Sequence, residues 1–277
     1  MLEGYSEYRH SLLIPKEETI MGDWNPEQYL KFKNERTQPS MDLVSRIKIE
    51  KADFIIDIGC GPGNSTQILR QRWPSAEIVG IDRSEEMIKK AKEDYPDQKW
   101  FIADAASFKS DLLYDIVFSN ATLQWIPRHE ILIPNLFKLV RSKGALTVQV
   151  PADNESPLHK ALLSVSRNDH WHRYTRGCDK LLHYQSSDYY YNLLTPLASE
   201  IELWETTYYH ILPSHQGLIE WYKSTGMRPF LDRLPDEESK MKFEKEVLER
   251  CKDNYKIQNN GKMLYPFKRI FFIAYKL

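Results

Sequence analysis

The stretch D-I-G-C-G-P-G-N-S-T, residues 57–66, decides the fold. It follows the apolar run Phe54-Ile55-Ile56 and opens into a helix-forming segment at 67–73. Strand, glycine turn and helix in that order is how a doubly wound α/β sheet lays backbone against a nucleotide-like ligand. Gly59, Gly61 and Gly63 lack a Cβ, so the turn can be tight and a ligand can rest on the main chain. A dinucleotide site spaces its glycines as G-x-G-x-x-G, with pyrophosphate on the helix N-terminus. Here the glycines alternate, and an acid, Asp57, stands two residues before the first. A nicotinamide dehydrogenase is therefore disfavoured, because no pyrophosphate turn remains.

The rest of the chain repeats the alternation. Residues 25–47 read as helical, with Pro26 near the start and Pro39 interrupting the middle. Strands are expected at 53–58, 77–81, 100–102, 114–119 and 145–150. Helices are expected at 66–73, stopped by Pro74, at 84–95, and at 129–140, closed by Gly144. Ser84 is a helix cap, with Glu85 and Glu86 in the favourable first turn. Strands alternating with helices at this spacing argue for a parallel sheet with right-handed crossovers. After Pro151 the rhythm changes. Helices are expected at 157–168, 187–197, 214–225 and 236–255, and strands at 201–212 and 270–276. The insertions at 151–200 and 213–265 sit where a substrate cap is built over a sheet's carboxyl edge. The expected division is one domain, 21–277, with its core at about 21–150, 201–212 and 266–277 and a helical cap from the two insertions.

Composition bounds the function. The chain has 277 residues, 42% of them hydrophobic, and a net charge of -1. That supports one sizeable core and gives no general argument for a nucleic-acid partner. Three cysteines cannot all pair and suit no zinc ribbon, which fits a reducing compartment. No apolar run is long enough to span a membrane, and Leu12-Leu13-Ile14 is too short for a signal sequence. Residues 1–20 lack apolar periodicity and end in K-E-E-T-I-M, whose Lys-Glu-Glu codons can spell a ribosome-binding sequence. They read as a translated leader or a disordered arm, with Met21 as the start.

Ligands of open α/β sheets bind at the carboxyl ends of strands, so residues at four strand ends are read as one site. The first strand gives Asp57, Gly59, Cys60, Gly61, Asn64 and Ser65. The second gives Asp82, with Arg83 and Met87 beside it, at the spacing where an acid meets a ribose diol. The third gives Asp104 and Ala105, placed for an adenine. The fourth gives Asn120, Ala121, Gln124 and Trp125. Together these resemble motif I and the following strand ends of the Rossmann-like class I methyltransferases. The resemblance implies a seven-stranded, mostly parallel sheet and S-adenosylmethionine, leaving as S-adenosylhomocysteine. Cys60 sits at a helix N-terminus, where thiol pKa values can fall, but a small residue filling the turn is the simpler reading.

Several further stretches are similar to one family, the trans-aconitate methyltransferases. They are D-W-N-P-E-Q-Y-L (23–30), Glu35-Arg36, Q-R-W-P (71–74), N-A-T-L-Q-W-I-P (120–127), T-T-Y-Y-H (206–210), P-S-H-Q (213–216) and T-G-M-R-P-F-L (225–231). The resemblance implies methylation of a carboxylate of trans-aconitate to a monomethyl ester in bacterial cytoplasm. It is weakest over 152–200. A carboxylate is already ionised at neutral pH, so its attack on a sulfonium methyl needs no general base. Positioning and exclusion of water are the expected contributions, with no catalytic residue in the acid–base sense. A tricarboxylate calls for fixed cations and donors, and arginine can hold a carboxylate bidentately. The candidates are Trp24, Tyr29, Arg36, Trp125, Tyr208, His210 and Arg228, with Tyr208 and His210 on one strand face.

His170-x-His172, Cys178 and His183 match no metal-site spacing and are read as a mobile, polar part of the cap. The charged run 236–245 reads as a solvated helix face. The expected partner is a small polycarboxylate, with no nucleic acid and no membrane, acting on a monomer or weak homodimer. Two alternatives stay open: a methyltransferase acting on another small acid or metabolite, and a non-enzymatic S-adenosylmethionine-binding module.

Overall fold

The computed structural model describes residues 33–277, and side chains from Thr37 onward. Seven strands form one sheet: β1 (Phe54–Ile58), β2 (Glu77–Asp82), β3 (Lys99–Ile102), β4 (Tyr114–Asn120), β5 (Val140–Pro151), β6 (Glu200–Leu212) and β7 (Met263–Tyr275). Their order is β3-β2-β1-β4-β5-β7-β6. The first five strands run parallel, and β7 inserts antiparallel between β5 and β6. This is the seven-stranded, mostly parallel α/β sheet expected from the sequence. The order reverses beside β1, so the crevice at its carboxyl end lies at the switch point where ligands bind.

Helices cover both faces because the central strands are apolar on both. On one face α1 (Lys33–Arg46) and α2 (Asn64–Arg72) pack Leu43, Val44 and Leu69 against Ile55, Ile116 and Phe271. On the other, α4 (His129–Lys138) and α7 (Ser187–Leu194) pack Leu132, Leu136, Tyr190 and Leu194 against Val117, Val148 and Phe272. The helix at 187–194, expected in the cap, therefore belongs to the sheet's own layer. Helix α1 also differs from expectation, running through Pro39 without a break. Burial of Leu43 and Val44 on the sheet outweighs the backbone bond that Pro39 cannot make.

Helix α3 (Glu85–Asp94) starts as expected: the Ser84 hydroxyl accepts from the Met87 N–H at 3.2 Å. Ser84→Ala is expected to lower stability by about 1 kcal/mol, read as a lower urea midpoint at unchanged slope.

Two strands are longer than expected. β5 begins at Val140, so Gly144 lies inside a strand and does not close α4. A Cβ at Gly144 would stand 2.7 Å from the Asp115 carbonyl, beside the register shift between Tyr114 and Ile116. β7 begins at Met263 and pairs with β6 along its whole length, from Glu200–Tyr275 to Leu212–Met263. Its first half alternates, with Met263, Tyr265 and Phe267 buried and Leu264, Pro266 and Lys268 exposed. Pro266 lies beyond Pro151, where β5 ends and β7 loses that neighbour, so a residue without an N–H is tolerated.

The far end of this hairpin carries a second core. Leu212, Met263, Tyr265 and Phe267 pack with α5 (Pro157–Ser166), α6 (Asp169–Thr175), α8 (His215–Lys223), α9 (Arg228–Leu231) and α10 (Glu237–Cys251). Residues 169–187, expected to be polar and mobile, contribute Trp171, which is buried and donates from Nε1 to Glu246 Oε2 at 2.8 Å. The charged run at 236–245 is solvated on one side only: Phe243 is buried, and Glu244 pairs with Lys223 at 3.1 Å.

Candidate active site

The loop after β1 is fastened from both sides. Gly59 and Cys60 N–H both donate to the Ile81 carbonyl, at 2.8 and 3.0 Å, tying it to the end of β2. Thr122 Oγ1 donates to the Gly59 carbonyl at 3.1 Å, tying it to the segment after β4. Gly59 has φ +72°, and a Cβ there would lie 2.2 Å from Thr122. Gly61, in the same loop at the carboxyl end of β1, has φ +53° and open space where a Cβ would project.

Asp57, near the end of β1, is fully buried. Its Oδ2 accepts from the Ser65 and Thr66 hydroxyls at 2.7 and 2.6 Å. Its Oδ1 has no hydrogen-bond partner among the described residues. Burial pushes the carboxyl up to about 6, opposed by the Thr66 and Ser65 hydroxyls, while the Asp82 charge adds to the rise. Asp82, at the end of β2, accepts from Gly61 N–H through Oδ2 and from Ser84 N–H through Oδ1, each at 2.9 Å. A carboxylate offers about four lone-pair positions, which suits the two hydroxyls of a diol.

The other candidates lie at the carboxyl ends of the neighbouring strands and in the first turns of the helices that follow. Asn64, in the first turn of α2, has a buried Nδ2 with no partner among the described residues. Met87 is buried, whereas Arg83 is exposed. Asp104 is exposed and accepts from Ala106 N–H at 2.9 Å, and Ala105 is half-buried. Cys60 is buried against Trp100. Burial, then the Asp57 and Asp82 charges, raises its thiol well above the ordinary range, so the helix N-terminus does not activate it. Trp100, unremarked in the sequence, is the floor: its ring lies 2.4 Å from where a Cβ on Gly80 would be.

After β4 the chain turns sharply. Ala121 has φ +54°, a conformation that non-glycine residues adopt at a cost, and its N–H donates to the Gln149 carbonyl at 2.9 Å. Gln124 Nε2 donates to the Ala121 carbonyl at 2.7 Å. Gln124 Oε1 and Asn120 Oδ1 are buried acceptors without partners among the described residues. The short turn Leu123–Trp125 is locked from behind. The neutral His129 donates from Nε2 to the Leu123 carbonyl at 2.8 Å and accepts at Nδ1 from Tyr190 at 2.9 Å, its pKa lowered by burial.

Beyond this turn lies a cavity lined by Asn120, Ala121, Gln124, Trp125, Pro151, Leu182, Tyr184, Trp221, Tyr222, Thr225, Gly226, Phe267 and Arg269. Of the residues picked out at the end of the fourth strand, Asn120, Ala121, Gln124 and Trp125 line it. Tyr208, His210 and Arg228 do not line the cavity. Tyr208 packs near Phe271 and donates its hydroxyl to Asp42 of α1. His210 is buried against Trp221, ring centres 4.2 Å apart, with Tyr265 and Phe267 around it. Arg228 Nε faces Asp232 at 3.4 Å. Trp24 and Tyr29 lie outside the described residues, as does the side chain of Arg36.

The charged residue that does line the cavity is Arg269. It was missed because the last strand was read from residue 270, which left Arg269 in a loop. A signal existed: in R-I-F-F-I-A-Y one cation precedes a wholly apolar strand. Tyr222 was also missed. Its hydroxyl is hydrogen-bonded to His159 Nδ1 at 2.7 Å, and burial lowers that imidazole to about 4, so the ring is neutral.

A family model described as a methyltransferase domain matches residues 49–209. Two Escherichia coli proteins named trans-aconitate 2-methyltransferase are similar along nearly the whole chain. One is 39% identical over 92% of this chain and 98% of its own length, the other 38% identical over 93% and 100%. The chain belongs to the trans-aconitate 2-methyltransferase family. Among solved structures, the YcgJ protein from Bacillus subtilis has TM-score 0.56 at 13% identity, covering 86% of this chain and 98% of that one. Phosphoethanolamine N-methyltransferase 2 from Haemonchus contortus, in complex with S-adenosyl-L-methionine, has TM-score 0.57 at 14% identity, covering 91% and 56%. Both share the fold. No helix among the described residues is long and apolar enough to cross a membrane.

Proposed function

We propose that this chain transfers a methyl group from S-adenosylmethionine to a carboxylate of trans-aconitate, forming a monomethyl ester. The observation that carries the reading is the polarity of the residues at the strand ends and around the cavity. On the β1–β4 side stand acceptors: Asp57 Oδ1, Asn120 Oδ1, Gln124 Oε1 and the Asp82 carboxylate. On the β7 side stands a buried guanidinium, Arg269, the one charged lining residue among those described. Acceptors suit a ligand with an ammonium, a sulfonium and a ribose diol. A guanidinium suits an acid.

The residues present fit S-adenosylmethionine: Asp82 would take the ribose, Gly59 and Gly61 would lie against it, and Asp57 and Asn120 would accept from its amino acid end. When bound, it supplies an electrophilic methyl on a cationic sulfur and leaves as S-adenosylhomocysteine. The acid's oxygen gains the methyl carbon, the carbon–sulfur electron pair stays on sulfur, and no proton moves. Hence no base is needed, and the chain's own work is placement. The locked turn Leu123–Trp125 and the buried Trp221 and Tyr222 shape a walled cavity that excludes water from the reacting pair. All three cysteines are free and buried, which suits the reducing cytoplasm.

The test is transfer of labelled methyl to a panel of acids: trans-aconitate, cis-aconitate, citrate and isocitrate. Base-labile label on trans-aconitate in preference to the others is expected. Efficient transfer to another of these acids, with none to trans-aconitate, would reassign the substrate.

A further inference from the structure

We propose that Arg269, aligned by Gln149, anchors a second, non-reacting carboxylate of the acceptor, so that acceptors must carry at least two carboxylates. The proposal deepens the reading above and rests on it.

The placement follows from strand register. Arg269 pairs with Pro151, and Gln149 pairs with Phe271, so the two side chains are diagonal neighbours on one face of the β5–β7 pair. Arg269 Nη1 donates to Gln149 Oε1 at 3.2 Å. A guanidinium carries only donors, so the Gln149 atom facing it is the oxygen, and the amide orientation is fixed by that contact. Gln149 Nε2 is then a fully buried donor without a partner among the described residues. The guanidinium also stacks over Phe267, 4.7 Å from the ring centre, which fixes the plane of its fork. Arg269 itself is 4% exposed, and it lines the cavity. A rigid, buried cation beside an unused amide donor is a carboxylate receptor.

A nearby acid feels the Arg269 charge, which opposes the rise in its pKa from burial. Asp153, just after β5, accepts through Oδ2 from Tyr265 at 2.6 Å and from Ser156 at 2.8 Å, and it does not line the cavity. The held carboxylate is not the one methylated, for a chemical reason. Charge-assisted bonds to a guanidinium draw electron density from both oxygens and make that carboxylate the poorer nucleophile. The attacking oxygen belongs near Asn120 and Trp125, at the end of β4. That strand and β7 are two strand spacings apart, about 9–10 Å. The span accommodates a short carbon skeleton bearing a carboxylate at either end.

The test compares the wild type with Arg269→Met, Arg269→Lys and Gln149→Met. Transfer is measured to trans-aconitate and to crotonate, a monocarboxylic acid with a similar double bond. Binding of trans-aconitate is measured separately by calorimetry with S-adenosylhomocysteine present. For Arg269→Met the KM for trans-aconitate is expected to rise at least tenfold, with kcat changing less and S-adenosylmethionine affinity within twofold. The preference for trans-aconitate over crotonate should collapse by the same factor. Arg269→Lys should recover part of the loss, since it keeps charge without the fork, and Gln149→Met should show a smaller KM rise. If Arg269→Met also loses S-adenosylmethionine affinity, the Lys and Gln149 variants decide the comparison. An unchanged KM in them, or wild-type turnover of crotonate equal to that of trans-aconitate, overturns the anchor. If no acid is methylated, the proposed function fails. Calorimetry then judges the anchor alone, since tight binding of trans-aconitate that weakens at least tenfold in Arg269→Lys supports it and unchanged binding refutes it.

Discussion

Asp82→Ala is expected to weaken S-adenosylmethionine binding by at least about a hundredfold, from two losses that act together. The first is direct. A carboxylate at the end of β2 accepts from both hydroxyls of a ribose, and each charge-assisted bond contributes about 1.5–3 kcal/mol. The second is indirect. Asp82 Oδ2 holds Gly61 N–H at 2.9 Å and Oδ1 holds Ser84 N–H at 2.9 Å, so the same carboxylate shapes the glycine loop and the start of α3. Without it the loop keeps the bonds from Gly59 and Cys60 to Ile81 and from Thr122 to the Gly59 carbonyl, but Gly61 N–H loses its acceptor. Asp82→Asn should fall between the two, because its amide oxygen can still accept from Gly61. Calorimetric titration with S-adenosylmethionine reads the effect, and circular dichroism confirms that the sheet is intact. An alanine variant binding within threefold of wild type would remove Asp82 from the ribose site.

The cradle around Asp82 was legible in the sequence, while the substrate side was not, and the reason is physical. The cradle is built from local signals. Glycines at φ +72° and +53° must be glycines, or close to it, and the Ser84 cap with its following acids announces a helix. Each signal is confined to a few consecutive residues. Arg269 and Gln149 instead meet across a β5–β7 pairing more than a hundred residues apart in sequence, and no local pattern brings them together. Tyr208 and His210 do share a face, as alternation requires, but that face runs into packing. Tyr208 meets α1 and His210 meets Trp221. Alternation says which residues point the same way. It does not say whether a helix or a cavity lies there. The first half of β7 was missed for a related reason: its outward Leu264, Pro266 and Lys268 imitate a loop, and only its long pairing with β6 makes it a strand.

Asp57→Asn is expected to move stability and ligand affinity in opposite directions. The buried carboxyl has its pKa raised to about 6 from an ordinary 3.8, chiefly by desolvation. A folded-state pKa above the unfolded one means that the folded chain holds the proton more tightly. Stability is therefore lost as pH rises from about 4 through about 6, and at pH 7.5 the cost is fully developed, about 3 kcal/mol. Asparagine carries no charge, and its oxygen can still accept from Ser65 and Thr66. Its amide then occupies the position of the partnerless Oδ1, where an unsatisfied donor returns about 1 kcal/mol of the gain. The ligand-free variant should thus be more stable than wild type by about 1–2 kcal/mol at pH 7.5, with the advantage shrinking as pH falls toward 4. Asp153, pushed by burial to about 7, keeps its own pH dependence in both proteins. Binding should respond the other way, because a donor replaces an acceptor that faces a cationic ligand. In the wild type that cation holds Asp57 ionised, so S-adenosylmethionine uptake below about pH 6 should release a proton and weaken as pH falls. Urea midpoints at pH 4.5 and 7.5, with titrations at the same pH values, separate the two effects. A variant that is no more stable at pH 7.5, or that binds as tightly as wild type, would show that the buried charge is not held in reserve for the ligand. The opposite signs would show that the fold carries an unfavourable carboxylate because binding uses it.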